Sequence, residues 1–194
     1  MGCCGSRGKV EKAAAPETKR GAFVSAWCTG ESCEVTIPLT GMGQYDFEVE
    51  WGDGQADHIT SYNQPEVTHK FASPGTYLLS ITGVIEGFCC KQTDASKKID
   101  RGYSPVGRAP IGGYFEGCSN MAMSAHDSPD LSGTDNLSSM FRGASALDGD
   151  VSAWDVSKVT SMSQMFSAAS VLGMFLLSLT WGVCSGGHLL SMVT

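Results

Sequence analysis

The chain has 194 residues, a hydrophobic share of 42% and a formal net charge of −7, which is enough for one or two domains with packed cores. The charge is uneven: residues 1–20 carry five basic and two acidic side chains, a net charge of +3, so the remainder carries −10. An acidic body without clustered Lys and Arg argues against nucleic-acid binding, because phosphate contacts need such clusters. The 24 glycines and many serines indicate a turn-rich, mainly β protein.

The first residues carry a lipidation motif. Gly2 and Ser6 fit the pattern for N-myristoylation, and Cys3 and Cys4 are candidate palmitoylation sites. One myristoyl chain holds a membrane only marginally, so the cysteines and the basic residues that follow would supply the second signal. Residues 1–21 are therefore predicted to be a disordered tether, lipidated at the cytosolic leaflet. The alternative is a tail with an accidental glycine and serine. No signal-peptide-like apolar run is seen.

Residues 22–88 contain several short runs with apolar residues at every second position, which is typical of half-buried strands. The clearest runs are Tyr45, Phe47, Val49 and Trp51, and later Tyr77, Leu79, Ile81 and Val84. Turn signals separate these runs. We therefore predict a small β-sandwich over residues 22–88.

Two phrases in this region resemble the PKD domain, which is an immunoglobulin-like sandwich. They are Trp51, Gly52, Asp53 and Gly54, and then His69, Pro74, Gly75 and Tyr77. Lys70 stands where that family more often has threonine. The resemblance implies an immunoglobulin-like fold over this part of the chain.

Residues 137–170 state one phrase twice with a period of 25, and a weaker copy places Phe115 26 residues before Phe141. A period in the twenties predicts a solenoid, in which each unit buries its apolar face by stacking on its neighbours. We expect a short leucine-rich-repeat-like solenoid over residues 114–172. Its units should contain a short helical piece, because four apolar residues have helical spacing: Met162, Met165, Phe166 and Ala169.

The repeated phrase resembles the BspA-like (DUF285-type) leucine-rich-repeat surface proteins. The residues that carry the resemblance are Met140, Phe141, Ala144, Ser145, Asp150, Val151, Trp154, Asp155 and Val156, with Met165 and Phe166 in the second copy. A PKD-like unit followed by such repeats is itself typical of those proteins. The resemblance implies a cell-surface adhesion or binding protein with a protein or glycan ligand.

Two segments do not follow either pattern. Residues 89–113 lack a clear period and are predicted to be a junction with a capping turn. Residues 173–194 form an uncharged, atypical tail, with the repeats cut short before it. A transmembrane segment is one explanation, although the apolar run at residues 171–184 is shorter than the roughly 20 residues that a bilayer needs. A buried cap is another, and a mispredicted coding sequence is the one we favour.

Chemistry-bearing residues are few. Eight cysteines show no paired zinc spacing, and no serine elbow, phosphate loop or metal-binding helix motif occurs. We expect no enzyme activity, cofactor or metal. Asp53 lies between two glycines and is expected to fix a turn, with calcium binding as the alternative. Trp51 and Trp154 are expected in the core rather than as exposed recognition aromatics.

These observations predict a non-enzymatic binding or adhesion module that recognises protein or glycan through its repeat surface. The alternative is a lipid-anchored scaffold at the cytosolic leaflet, held by Gly2, Cys3 and Cys4. The two hypotheses differ in compartment, because the surface proteins that the repeats resemble should carry a signal peptide.

Overall fold

The computed structural model describes residues 22–41, 43–90, 99–103, 114–123, 131, 135–148, 151 and 154–169. Across these residues the protein is mainly β, as predicted, and helical structure is limited to the 3-10 turns Gly30–Ser32 and Pro65–Val67. The strands in chain order are β1 (Phe23–Cys28), β2 (Glu34–Thr36), β3 (Tyr45–Glu50), β4 (Ala56–Ile59), β5 (Thr68–Lys70), β6 (Thr76–Ile85), β7 (Ile99–Tyr103) and β8 (Ala122–Met123).

The strands form two sheets. The larger sheet has the order β4-β3-β6-β1-β7-β8 and is antiparallel except for the parallel pair β7 and β8. Strands β2 and β5 form the second, antiparallel sheet. We call β1–β7 the sheet region. Its buried apolar side chains belong to one continuous cluster with those of residues 114–169, so a single core runs from the sheets into the repeats.

Strand β3 shows the predicted alternation. Its apolar residues are buried, and Asp46 and Glu48 between them are exposed. It lies between β4 and β6 in the sheet, which leaves one face against the core and the other in water. Trp51, one residue beyond the strand, is 0% exposed, so the prediction that it is a core residue is confirmed.

Strand β6 departs from the predicted alternation at Gly83. A Cβ at this position would lie 2.4 Å from the Asp46 carbonyl oxygen and 2.7 Å from the Phe47 Cα, so the inward position has no room for a side chain. The next inward side chain is that of Ile85, which is buried, while Val84 is 49% exposed. The expectation that Val84 continues the buried run is therefore wrong.

Strand β7 lies within residues 89–113, the range predicted as a junction. It pairs with β1, with Val24 opposite Tyr103, and the register shifts between Ala26 and Trp27. On its other side it pairs in parallel with β8, with Arg101 opposite Ala122. The larger sheet thus takes strands from the ranges predicted as sandwich, junction and repeats.

The repeated phrases form three stacked turns, which we call the first turn (residues 114–118), the second turn (residues 137–144) and the third turn (residues 162–169). Within each turn, N–H groups donate to the carbonyl three residues earlier, as in Ala144 to Phe141 and Ala169 to Phe166, both at 3.0 Å. These are successive β-turns. The predicted short helical piece is wrong, because left-handed residues such as Ser139 (φ 58°) and Gln164 (φ 55°) interrupt any helix.

Alternate N–H groups of the second turn point in a different direction, toward the third turn. Four of them donate to carbonyl oxygens 24 residues later at 2.8–2.9 Å: Leu137 to Ser161, Ser139 to Ser163, Phe141 to Met165 and Gly143 to Ser167. The first turn pairs with the second in the same way, from Phe115 to Met140 and from Gly117 to Arg142. Each turn therefore holds its own shape with one set of N–H groups and its neighbour with the other.

Candidate functional site

The Trp51–Gly54 phrase forms a tight turn at the end of β3. The backbone N–H of Trp51 donates to the Gln55 carbonyl at 2.9 Å, and the Gln55 N–H donates to Asp53 Oδ1 at 3.0 Å. Asp53 thus fixes the turn with its side chain, as aspartate commonly does. This is the role that the sequence predicted for Asp53.

The two glycines of the turn have different reasons to be glycine. Both have positive φ, 80° at Gly52 and 92° at Gly54, where other residues are strained. A Cβ at Gly52 would also lie 2.4 Å from the Leu78 carbonyl oxygen, whereas a Cβ at Gly54 would meet nothing within 4 Å. Gly52 therefore permits a close approach to β6, and Gly54 serves the turn alone.

His69 joins this turn to the smaller sheet. Its Nε2 donates to Asp53 Oδ2 at 2.9 Å, and its ring stacks on Trp51 with centroids 4.6 Å apart and planes 12° apart. The side chains of His69 and Asp53 are 9% and 16% exposed, although the Asp53 backbone lies at the surface. Burial tends to raise the pKa of Asp53, but the hydrogen bonds from His69 and Gln55 outweigh it, and the pKa is lowered.

The later phrase closes around the same aromatic cluster. The Tyr77 ring stacks on Phe71 at 3.9 Å, and its hydroxyl donates to the Ser73 carbonyl at 2.9 Å across the turn that holds Pro74, which is exposed. Gly75 is tied to the end of β1, since its N–H donates to the Thr29 hydroxyl at 3.1 Å. The residues that carry the PKD resemblance thus meet in one place and hold the two sheets together.

This cluster offers little room for chemistry. Asp53 Oδ1 accepts from the Gln55 N–H, and Oδ2 accepts from His69 and from the Gln55 side chain. Calcium would need those oxygens together with several others. Within the described residues, no group of three or more His, Cys, Asp or Glu side chains is placed to hold a metal ion. The arrangement favours the turn-fixing role of Asp53 over calcium binding.

A column of aromatic rings runs through the stacked turns. Phe141 lies in the middle, with its ring 5.7 Å from Phe115 and 5.8 Å from Phe166, and the planes of each pair are within 8° of parallel. At the other end Phe115 contacts Phe88 at 5.6 Å and Phe23 at 6.2 Å, so the column continues into the sheet region. All five phenylalanines are buried.

The other residues of the repeated phrase lie in the core or in turns of the stack. Met140 and Met165 are buried in the same cluster as the ring column, and Trp154 is 8% exposed with its ring 5.9 Å from that of Phe141. The expectation that Trp154 is core is confirmed. Asp155 is exposed; hydrogen bonds from the Ser157 hydroxyl and then from its N–H lower the pKa of this carboxyl. Val156 packs partly buried against the core.

The outer surface of the stacked turns is polar or small-chained. Arg142 is exposed, and its Nη1 lies 3.6 Å from Glu116 Oε1 in the turn before it. In the third turn the position equivalent to Arg142 is occupied by Ser167. The other exposed residues on these turns, or directly after them, are Gly117, Ser119, Asn120, Ser145, Ser163 and Ala168. The repeats thus separate an apolar inside from a polar outside that differs from turn to turn.

Two residues of the stack, Cys90 and Asn136, were not predicted from the sequence. Cys90 donates its N–H to the Tyr114 carbonyl at 2.9 Å and so begins the ladder, 25 residues before Phe115. The period itself, extended upstream, would have found it. Asn136 Oδ1 accepts from the Ser138 N–H at 2.9 Å. An asparagine directly before a turn was the available signal.

Several predicted features lie outside the described residues: the lipidation positions Gly2, Cys3 and Cys4, Asp150 in the repeat phrase, and the tail at residues 173–194. None of the helical segments in the described part of the chain has the length and apolar composition to cross a bilayer.

Residues 110–183 match the family described as "Mycoplasma protein of unknown function, DUF285". The match covers the three stacked turns and continues past the last residue that the structure describes. No curated protein and no solved structure matches the chain.

Proposed function

We propose that this protein is a non-enzymatic binding or adhesion module of the BspA-like surface-protein type. In this proposal the sheet region is a PKD-like, immunoglobulin-like sandwich, and the stacked turns are a short leucine-rich-repeat-like solenoid. The ligand, a protein or a glycan, binds to the outer surface of the stacked turns. The match of residues 110–183 to the DUF285 family supports the placement of the repeats.

The observation that carries the proposal is the separation of inside from outside in the stacked turns. The repeated positions that point inward are filled by Phe, Met, Leu and Ala, with Tyr114 and Cys118 in the first turn, and backbone hydrogen bonds of 2.7–2.9 Å join each turn to the next. The exposed positions carry no packing duty, so their side chains are free to differ between turns without disturbing the core. A rigid scaffold with variable outward positions suits recognition of a ligand.

The titratable groups of the Trp51 cluster support a binding protein over an enzyme. The side chains of Asp53 and His69 are largely shielded from solvent, and both are engaged in holding the turn and the aromatic stack. A catalytic pair needs a reacting group within hydrogen-bond reach and an open space beside it. A second such pair, His58 and Asp46 at 2.8 Å, is exposed on the outer face of the larger sheet.

Binding is tested with labelled full-length protein on two arrays, one of extracellular proteins and one of glycans. We expect saturable binding that Arg142→Ser weakens by roughly tenfold if Arg142 lies in the contact. Serine is the residue that the third turn already has at this position, so the substitution should preserve the fold. Saturable binding to neither array would overturn the proposal.

Lys70→Ser is the matched control. Lys70 is also an exposed cation with a carboxylate 3.6 Å away, that of Glu34, but it lies on the smaller sheet rather than on the stacked turns. The proposal requires that this control bind like the unaltered protein. An equal loss for both variants would show a non-specific charge effect instead.

The compartment has its own experiment, because the sequence predicts a lipid anchor and the resemblance implies the cell surface. Intact cells that make tagged full-length protein are treated with protease, and labelled myristate is supplied to cells that make either the unaltered protein or Gly2→Ala. Cleavage on intact cells supports the surface module. Complete protection, with myristate incorporation that Gly2→Ala abolishes, supports the cytosolic-leaflet scaffold instead.

A further inference from the structure

Two cysteines meet where the sheet region joins the stacked turns. Cys90 follows β6 and pairs with the first turn through its N–H, and Cys118 closes that turn through its own N–H, which donates to the Phe115 carbonyl at 3.1 Å. Both residues are 0% exposed and belong to the same buried cluster, and Cys118 is one of the groups that raise the pKa of the Cys90 thiol. Both cysteines are reduced in the structure.

The repeat shows that Cys118 is not required for packing. The same position is occupied by Ala144 in the second turn and by Ala169 in the third, each buried and each donating its N–H to the carbonyl three residues earlier. Alanine therefore satisfies the fold at this position. The turn that carries a thiol instead is the one that faces Cys90.

We propose that Cys90 and Cys118 form a disulfide that joins the sheet region to the first turn when the chain folds in an oxidising compartment. Two S–H bonds break and one S–S bond forms. The two electrons and two protons pass to a small-molecule disulfide such as oxidised glutathione, which leaves as two thiols. This disulfide rests on the proposed function only through its oxidising compartment, because a cell-surface protein folds in a compartment where disulfides persist.

The surroundings of the two thiols favour a structural disulfide over one that forms and breaks rapidly in response to redox conditions. Burial, and then contact with Cys118, raise the pKa of the Cys90 thiol, so little of the reactive thiolate exists once the junction has formed. The bond should therefore form during folding. It closes a loop of the 27 residues 91–117, which restricts the unfolded chain.

The test folds the full chain from denaturant in a glutathione redox buffer or in excess reductant, followed by alkylation and non-reducing peptide mapping. We expect a peptide linked through Cys90 and Cys118 and a Tm roughly 10 °C higher after oxidative folding. Cys118→Ala should abolish that difference and leave the Tm of the reduced protein nearly unchanged, because alanine occupies the position in the other two turns.

The partly exposed Cys28 supplies the control, since Cys28→Ser should keep the redox-dependent Tm shift. Full alkylation of both Cys90 and Cys118 after oxidative folding would overturn the proposal, as would a link through Cys89 or a Tm difference that survives in Cys118→Ala. The array experiment does not depend on this bond. A failure here therefore leaves the proposed binding function standing, and a failure of binding leaves the disulfide standing.

Discussion

The sheet region and the stacked turns bury aromatic rings in two different ways. In the sheet region Trp51 is held by partners of other kinds: His69 stacks on its face, and Asp57 accepts a hydrogen bond from its Nε1 at 2.8 Å. In the stacked turns Phe141 packs against Phe115 and Phe166, which are copies of itself in neighbouring repeats. The first arrangement requires several different residue types at matching positions in space, whereas the second requires one residue type at a fixed interval in the sequence.

The largest expected effect tests the ring column. Phe141→Ala removes a buried ring with a like neighbour on each side and should cost about 3–5 kcal/mol of unfolding free energy. Phe166→Ala removes a ring for which one such neighbour is described, so it should cost less by about 0.5–1.5 kcal/mol, the value of one aromatic pair. Chemical denaturation of both variants measures the difference. Equal costs would show that position within the column is irrelevant.

The next effect tests the sheet region, where close approach is specific to one site. Gly52→Ala and Gly54→Ala both place alanine at positive φ and should each cost about 1–2 kcal/mol. Gly52→Ala adds a clash with the Leu78 carbonyl oxygen, which should cost about 1–3 kcal/mol more. The two unfolding midpoints give the comparison. A smaller loss for Gly52→Ala than for Gly54→Ala would contradict the close approach to β6.

A smaller effect tests whether equivalent positions in the stacked turns are interchangeable. Gly117, Gly143 and Ala168 are all left-handed, with φ of 81°, 73° and 58°. Ala168→Gly should therefore stabilise the protein by about 0.5–1 kcal/mol, because it relieves the strain of a left-handed alanine. Gly143→Ala should destabilise the protein by a similar amount. The cost comes from the left-handed φ alone, because the added Cβ would meet nothing closer than 3.7 Å. Thermal unfolding of both variants decides the signs, and a gain from Gly143→Ala would refute the equivalence.

The smallest expected effect is the pH dependence of the Asp53 turn, because solvent near the carboxylate screens its interactions. The pKa of Asp53 is lower in the folded chain than its ordinary value of 3.8. Its stabilisation is therefore fully present above that value and is lost as the pH falls through the lower, folded pKa. The stability difference between the unaltered protein and Asp53→Asn should be constant near neutral pH and shrink below about pH 4. A difference that widens with acid would contradict the lowered pKa.

The sequence predicted what depends on short-range pattern. The alternation in β3 was readable because one face of the strand is buried, and the 25-residue period was readable because each turn repeats the residues that its neighbour needs. Trp51 and Trp154 were placed correctly in the core, since tryptophan at a patterned position is usually buried.

The remaining features depend on contacts that spacing does not specify. The helical spacing of Met162, Met165, Phe166 and Ala169 suits successive β-turns equally well, and left-handed residues such as Gln164 and Ala168 exclude the helix. The stack of His69 on Trp51 joins residues 18 positions apart through two different sheets. Strand β7 could not be predicted either, because its five residues, Ile99–Tyr103, include Asp100, Arg101 and Gly102 and show no alternation.

The regular spacing of the backbone ladder has a consequence for how such a gene changes length. Equivalent N–H groups donate to equivalent carbonyls at each boundary, from Cys90 to Tyr114, Phe115 to Met140 and Phe141 to Met165, and at the last boundary Thr160 and Ser161 of the later repeat donate back to Asp135. A duplicated block of about 25 codons would present the same acceptors to the turn before it and the same donors to the turn after it. Duplication of a whole unit should therefore be tolerated, while insertion of part of a unit should shift the rings and the hydrogen-bonding groups out of register with those of the neighbouring turn.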